Sequence, residues 1–308
     1  MQRDDFGKIV ASLREDLGLT QPQMADLAGI PFHVLSHIER GKKSNLSPEI
    51  LVALADVLQL TTCERRQFFL AASGVGINEM VRPDLPHTSS DTANPEKELA
   101  KLQNVANQLQ VPAFVIDPFY DFVMVNRPML ALFKVNQPLI DYLASVPRGF
   151  NSIHLTFGKG LFAQSQMDWN WDEYAFNTMR GFRENSLRYR HHPYFQYLMQ
   201  CFRNPEEYPF FERFWRMAAS TQEDKEANWD FLEYNGKGHG HLHYIADTTI
   251  FTTAFGDLYF IKYFPLNPNT GKVFTEIAAE YGTQMLRFAS WPEKNYPKQE
   301  AVKKPRGR

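Results

Sequence analysis

The sequence predicts two domains, an all-α unit of five short helices followed by a larger α+β unit. Three observations predict this. Apolar residues recur at helical spacing, punctuated by glycines, through residue 72. Residues 75–95 then break the pattern with Pro83, Pro86 and Pro95 among Ser, Thr and Asn, a linker composition. Beyond Val111, strands are expected at both ends of the remaining chain, with helices between them. The expected units are therefore 1–74, the linker 75–95, a second domain 96–292, and a basic, disordered tail 293–308.

The helices follow in order. Phe6, Ile9, Val10, Leu13 and Leu17 give one apolar face to Asp4–Asp16, and Gly18 ends that helix. Thr20 caps Gln21–Ala28, which buries Met24, Leu27 and Ala28, and Gly29 makes the turn. Pro31 opens a third helix that Gly41 stops. Ser47 and Pro48 open a fourth, with Leu51, Leu54 and Leu58 inward; Thr62–Ala72 is the fifth. Pro95 starts a helix to about Leu109, whose stripe of Leu99, Leu102, Ala106 and Leu109 suits either the next domain or a second copy of the chain. Ala113–Ile116 and Phe122–Val125 read as strands around the turn Asp117–Asp121, and Asn126 starts a helix through Phe133. Residues 137–146 and 169–220 read as helices. Leu242–Ala246, Thr249–Phe255 and Leu258–Phe264 read as three strands, split by Asp247 and by Gly256-Asp257, and Val273–Phe288 closes the chain as a helix.

Bulk properties narrow the function. The 308 residues carry a net charge of −2, and residues 1–80 also sum to −2, from eight Lys/Arg against ten Asp/Glu. Nucleic-acid binding therefore needs a local basic edge, and Arg40, Lys42 and Lys43 supply one. No run of eighteen apolar residues occurs, so no membrane partner is expected. The N-terminus lacks a signal peptide's basic and apolar segments, and Cys63 and Cys201 lie far apart. A reducing cytoplasm is the expected location, with nucleoid association through DNA. Aromatic residues reach 14% and concentrate beyond residue 110, which suits either a thick core or an apolar ligand cavity.

Leu13-Arg14, Gly18-Leu19-Thr20-Gln21, Ala25, Ala28-Gly29 and Ile38-Glu39-Arg40-Gly41-Lys42 together resemble the XRE family of helix-turn-helix domains. Small Ala25 and Gly29 let the second and third helices cross closely, and the third can then enter a major groove. The resemblance implies a phosphate contact at Gln21 and base-facing positions at Phe32, His33, Ser36 and His37. It also implies phosphate contacts at Arg40, Lys42 and Lys43, and a structural ion pair between Arg14 and Glu39. The recognition helix lacks the Gln, Asn or Arg of two-pronged base contacts, so DNA shape is expected to carry part of the readout.

Phe114-Val115-Ile116-Asp117 through Phe122–Asn126 resembles the opening of a PAS domain. With Trp171-Asp172, Phe211, Phe214-Trp215 and His239-Gly240 behind an XRE domain, it is similar to the MmyB-like transcription regulators and their PAS-like ligand-binding domain. That resemblance implies a small apolar ligand, with a fatty acid as candidate. Phe114, Phe122, Val125, Phe133, Trp171, Tyr174, Phe214 and Trp215 are the candidate lining; a carboxylate head would need a cation, with Arg180, Arg183, Arg188 and Arg190 in view. His239, His241 and His243 form an H-x-H-x-H run that could ligate a metal, although three alternate strand positions span too far without a bend. No catalytic motif appears, and no catalytic residue is expected.

The expected protein is thus a homodimeric regulator that binds a double-stranded DNA operator and senses an apolar ligand. Two alternatives stand beside it: a ligand-independent repressor whose second domain only dimerises, and a metal sensor built on the histidine run.

Overall fold

The structure is a computed structural model that describes residues 3–43, 45–73, 94–161, 171–220, 232–236 and 240–297. The first domain is five helices: α1 (Arg3–Asp16), α2 (Gln21–Leu27), α3 (Phe32–Glu39), α4 (Pro48–Val57) and α5 (Thr62–Ser73). Phe6, Ile9, Val10, Leu13, Met24, Leu35, Ile38, Leu54 and Phe68 form its core. Gly7 lets α1 cross the end of α3, since a Cβ there would stand 2.3 Å from the Ile38 carbonyl oxygen. Leu27, expected inward, is instead exposed: α2 ends at it and turns away from the core.

The second domain runs α6 (Pro95–Ala106), β1 (Ala113–Ile116), β2 (Phe122–Asn126), α7 (Arg127–Leu132), α8 (Gln137–Ser145), α9 (Ser152–Phe157), α10 (Trp171–Ser186), a 3-10 turn (Leu187–Tyr189), α11 (Pro193–Phe202) and α12 (Phe211–Ser220). It continues with β3 (Leu232–Gly236), β4 (Gly240–Thr253), β5 (Gly256–Pro265), α13 (Pro268–Tyr281) and β6 (Met285–Arg287). The strands form one sheet in the order β3-β4-β5-β1-β2-β6, antiparallel at every neighbouring pair. One face packs on α7, on the aromatic-rich α9 to α12 and on α13. The other packs on α6 through Leu99, Leu102 and Ala106 against Val115, Val123, Phe260 and Met285. The α6 stripe is therefore buried within its own domain, where each leucine contributes roughly 1.5–3 kcal/mol of burial.

Several local expectations are corrected. Leu242–Ala246 and Thr249–Phe255 are one long strand, because Asp247 stays in register opposite Lys262 and pairs with it at 2.5 Å. The β4–β5 turn falls at Ala254-Phe255, two residues before the expected Gly256-Asp257. The closing helix begins earlier, where Asn267 accepts from the Thr270 amide, and ends at Gly282 with φ +78°; residues 285–287 then join the sheet. Residues 293–297 belong to the fold and not to a tail. The Lys294 side chain is 4% exposed and forms ion pairs with Asp117 and with Asp121, at 2.7 Å to the latter. Most of the linker, residues 75–93, and of the tail, residues 298–308, lies outside the described residues. Among the described residues no helix is long and apolar enough to cross a membrane.

The two domains share a buried joint. Leu187 of the 3-10 turn is fully buried in the core of the five-helix domain. Beside it, Glu64 of α5 accepts from Arg190 at 2.8 Å and pairs with Arg183 at 3.1 Å. The Arg183 guanidinium lies 4.4 Å from the centre of the Trp215 ring. Burial opposes the charge on Glu64, but Arg183 and Arg190 outweigh it and hold the carboxyl below its ordinary value. Asp16 faces Arg203 at 3.3 Å, and Ser12 Oγ donates to the Arg190 carbonyl oxygen.

Candidate functional site

The first candidate site is the outer surface of α3. Thr20 starts α2 with a capping box: its hydroxyl accepts from the Gln23 amide and its own amide donates to the Gln23 side chain. Gly29, at φ +62°, turns the chain into α3. Leu35 and Ile38 point into the core, which leaves Phe32, His33, His37 and Arg40 outward and exposed. His33 and His37 sit one turn apart with ring centres 6.3 Å apart. Gly41, at φ +68°, folds the next residues back, so the Lys42 and Lys43 amides both donate to the His37 carbonyl oxygen. The basic residues are thereby gathered at one end of α3. Among the described residues, Phe32, His33, His37, Arg40 and Lys42 remain exposed.

Two expected contact residues differ from the rest. Ser36 is only 6% exposed. It is buried with Leu35 and Ile38 of the same helix, whereas Phe32, His33, His37 and Arg40 are exposed. Gln21 donates to Glu39 Oε2 at 2.6 Å. Arg14 holds the same carboxylate with two bonds, from Nε at 2.7 Å and Nη2 at 3.1 Å. The expected ion pair between α1 and α3 is therefore two-pronged, and it also fixes the start of α2.

The second candidate site is a cavity of about 130 Å³ under the sheet, comparable to a roughly 150 Å³ apolar void that admits benzene. Phe114, Phe122 and Val125 of the first two strands, Met129, Leu130 and Phe133 around α7, Leu139, Ile140 and Leu143 of α8, and Tyr174 of α10 line it. The β1–β2 register shifts between Val115 and Ile116, which lets Phe122 and Val125 both face the cavity although they are three apart. Five of the eight expected lining residues are in place. Trp171, Phe214 and Trp215 are not. Trp171 and Phe214 pack on each other and on Phe157, and Trp215 stacks on Phe211 and carries Arg183. Aromatic content cannot separate these two uses, since core and cavity wall draw on the same residue types. The α8 wall was missed, since leucines and an isoleucine on a helix carry no signal that separates a cavity wall from a packed core.

A second space of about 400 Å³ adjoins the first, and Phe114, Ser152, Tyr174 and Tyr263 border both. α10 walls it with Thr178, Gly181, Glu184 and Asn185. The same helix carries Arg183 into the joint with Glu64. Of the four arginines expected near a ligand head, Arg183 and Arg190 hold Glu64, Arg180 pairs with Glu184 at 3.1 Å, and Arg188 lines neither space. Glu64 itself was legible as the fourth residue of a Thr61-x-x-Glu64 capping pattern, but that signal does not show its second role.

The histidine run is only partly described. His239 lies outside the described residues; His241 and His243 occupy alternate positions of β4. Among the described residues no three His, Cys, Asp or Glu side chains group to hold a metal ion.

Comparison with known families agrees with this geometry. A helix-turn-helix domain family matches residues 5–68, and the MmyB-like transcription regulator ligand binding domain matches residues 100–275. The second match covers more than half of the chain, so the chain belongs to the MmyB-like transcription regulator ligand-binding-domain family. No curated protein matches the chain.

Proposed function

We propose that this MmyB-like family member is a DNA-binding transcription regulator whose grip on an operator is set by an apolar molecule held beneath its sheet. The single observation that carries this reading is α10. Its Tyr174 and Thr178 border the cavity, and its Arg183 enters the interdomain joint. A molecule that binds two positions of α10 unequally shifts the helix-turn-helix domain by that difference in affinity.

On the DNA side, Phe32, His33 and His37 face base edges, with Ser36 reached only if its neighbours move. Arg40, Lys42 and Lys43 meet phosphates, while Gln21 and the α2 start lie beside the backbone. Two copies reading two half-sites about one DNA turn apart complete the proposal. Ile250 and Phe251 of β4, Phe264 of β5 and Leu266 just beyond it are exposed and offer apolar area for the pairing. The cavity favours a sensing domain over one that only dimerises.

Denaturing extraction of the purified full-length protein, read by mass spectrometry, tests the ligand half. An apolar molecule in the extract, or a thermal shift on adding one, is expected. A clean extract and no shift from any apolar compound overturns it.

A further inference from the structure

The two spaces under the sheet differ in chemistry. The first is walled almost wholly by hydrocarbon. The second is bordered by the buried phenols Tyr120, Tyr259 and Tyr263 and the half-buried Tyr174, together with Thr178 and Asn185. Asn185 donates to the Tyr120 oxygen at 3.3 Å, which orients that phenol along the wall. Burial pushes all four phenols above their ordinary titration range, so they remain O–H donors.

Among the described residues, no Lys, Arg or His lines either space. The wall's charges are acidic, at Glu184 and Asp247, and each already faces its own cation, Arg180 and Lys262. A neighbouring polar pocket shares Leu143, Phe150 and Phe288 with the first space and does contain Arg148 and Lys294. Both cations are occupied. Arg148 pairs with Glu207 at 2.5 Å, and Lys294 serves Asp117 and Asp121 together. Among the described residues, a ligand carboxylate would therefore meet no cation on the wall of either space, since Arg188, whose charge acts on Tyr259, lines neither, and would bear most of the cost of its desolvation. Hydroxyl donors beside a shaped apolar space suit a neutral oxygen instead.

We infer that the ligand is an amphiphile with an uncharged head, its hydrocarbon part in the first space and a hydroxyl, ketone or amide oxygen among Tyr120, Tyr174, Thr178 and Tyr263 in the second. This rests on the reading that the cavity under the sheet holds the regulating ligand. It also places the head against Gly181 to Asn185, the turn of α10 from which Arg183 reaches the interdomain joint.

The test is competition on the full-length protein at pH 8, with the neutral apolar dye N-phenyl-1-naphthylamine as the bound probe. The competitors are 1-hexanol, hexanamide and hexanoate, matched in a chain short enough for the first space and different in head. The alcohol and the amide are expected to displace the dye at concentrations at least about tenfold below the carboxylate. In Tyr174→Phe with Thr178→Val, dye binding is expected to persist while the advantage of the alcohol and amide shrinks. Hexanoate competing equally or better overturns the uncharged head and leaves the cavity reading standing. Dye that binds but yields to none of the three also overturns it. A protein that binds no dye removes the cavity reading itself, and the head with it.

Discussion

Arg190 donates to Glu64 at 2.8 Å across 126 residues of chain, and the two side chains are 1% and 0% exposed. The contact closes the joint between the helix-turn-helix domain and the ligand-binding domain. Buried ion pairs add little net stability, but removing one partner strands the other's charge in a medium that cannot solvate it. Here Glu64 is the shared counter-ion of two arginines, Arg183 and Arg190, with Asp16 3.9 Å from Arg190. Glu64→Gln is expected to cost roughly 3–5 kcal/mol of stability, read as a lowered midpoint in denaturant unfolding. An unchanged midpoint contradicts the joint.

Leu187 comes from the ligand-binding domain yet sits in the core of the five-helix domain. Leu187→Ala leaves a void there and is expected to cost roughly 2–5 kcal/mol. Because the residue belongs to both domains, hydrogen exchange in α1 and α5 is expected to speed up along with exchange in α10. Faster exchange confined to α10 shows that the domains do not share this core.

His154 supplies a pH signature. Arg148 Nε donates to the Tyr208 hydroxyl, which donates in turn to His154 Nδ1 at 2.7 Å. Burial, with the Arg148 charge close by, holds the imidazole down at about 4. The unfolded chain takes up this proton near pH 6.5, whereas the folded chain refuses it until about pH 4. Stability from this residue is thus complete above pH 6.5 and lost as pH falls toward 4, by at most about 3 kcal/mol. His154→Gln is expected to flatten that window in stability measurements between pH 7 and 4. An unaltered pH profile contradicts the buried neutral imidazole.

Filling the cavity separates sensing from folding. Leu155 borders it from α9 and is half-buried. Leu155→Trp is expected to weaken binding of an apolar dye by about tenfold or more, at an overpacking cost of roughly 1–3 kcal/mol. Retained dye affinity in a folded variant places the binding elsewhere.

Much of this was legible in the chain because short-range rules govern it. The glycines at 18, 29 and 41 have φ near +60° to +70°, which is why they end helices. Thr20 and Asn126 cap the helices they precede, and Arg14 finds Glu39. The failures share a different cause. Asp247 was read as a break because its partner Lys262 is fifteen residues away and visible only in the folded register. Lys294 looked like part of a solvated tail because Asp117 and Asp121 are over 170 residues distant. Trp215 looked like cavity wall because nothing local announces that two arginines stack on it. Long-range pairing, of charges in these cases and of β6 with β2 in the closing segment read as helix, is what the sequence left hidden.

The most direct test of the central claim is the salt dependence of duplex-DNA binding by the full-length protein and by its Arg40→Ala, Lys42→Ala variant. The wild type is expected to bind duplex at low salt. The variant is expected to bind specific and random duplexes more weakly, with the log–log salt slope reduced by about two, roughly 0.9 for each lost phosphate contact. An unchanged slope, or a wild type that retains no duplex at low salt, contradicts the assignment of α3 and its basic turn as the DNA-reading surface.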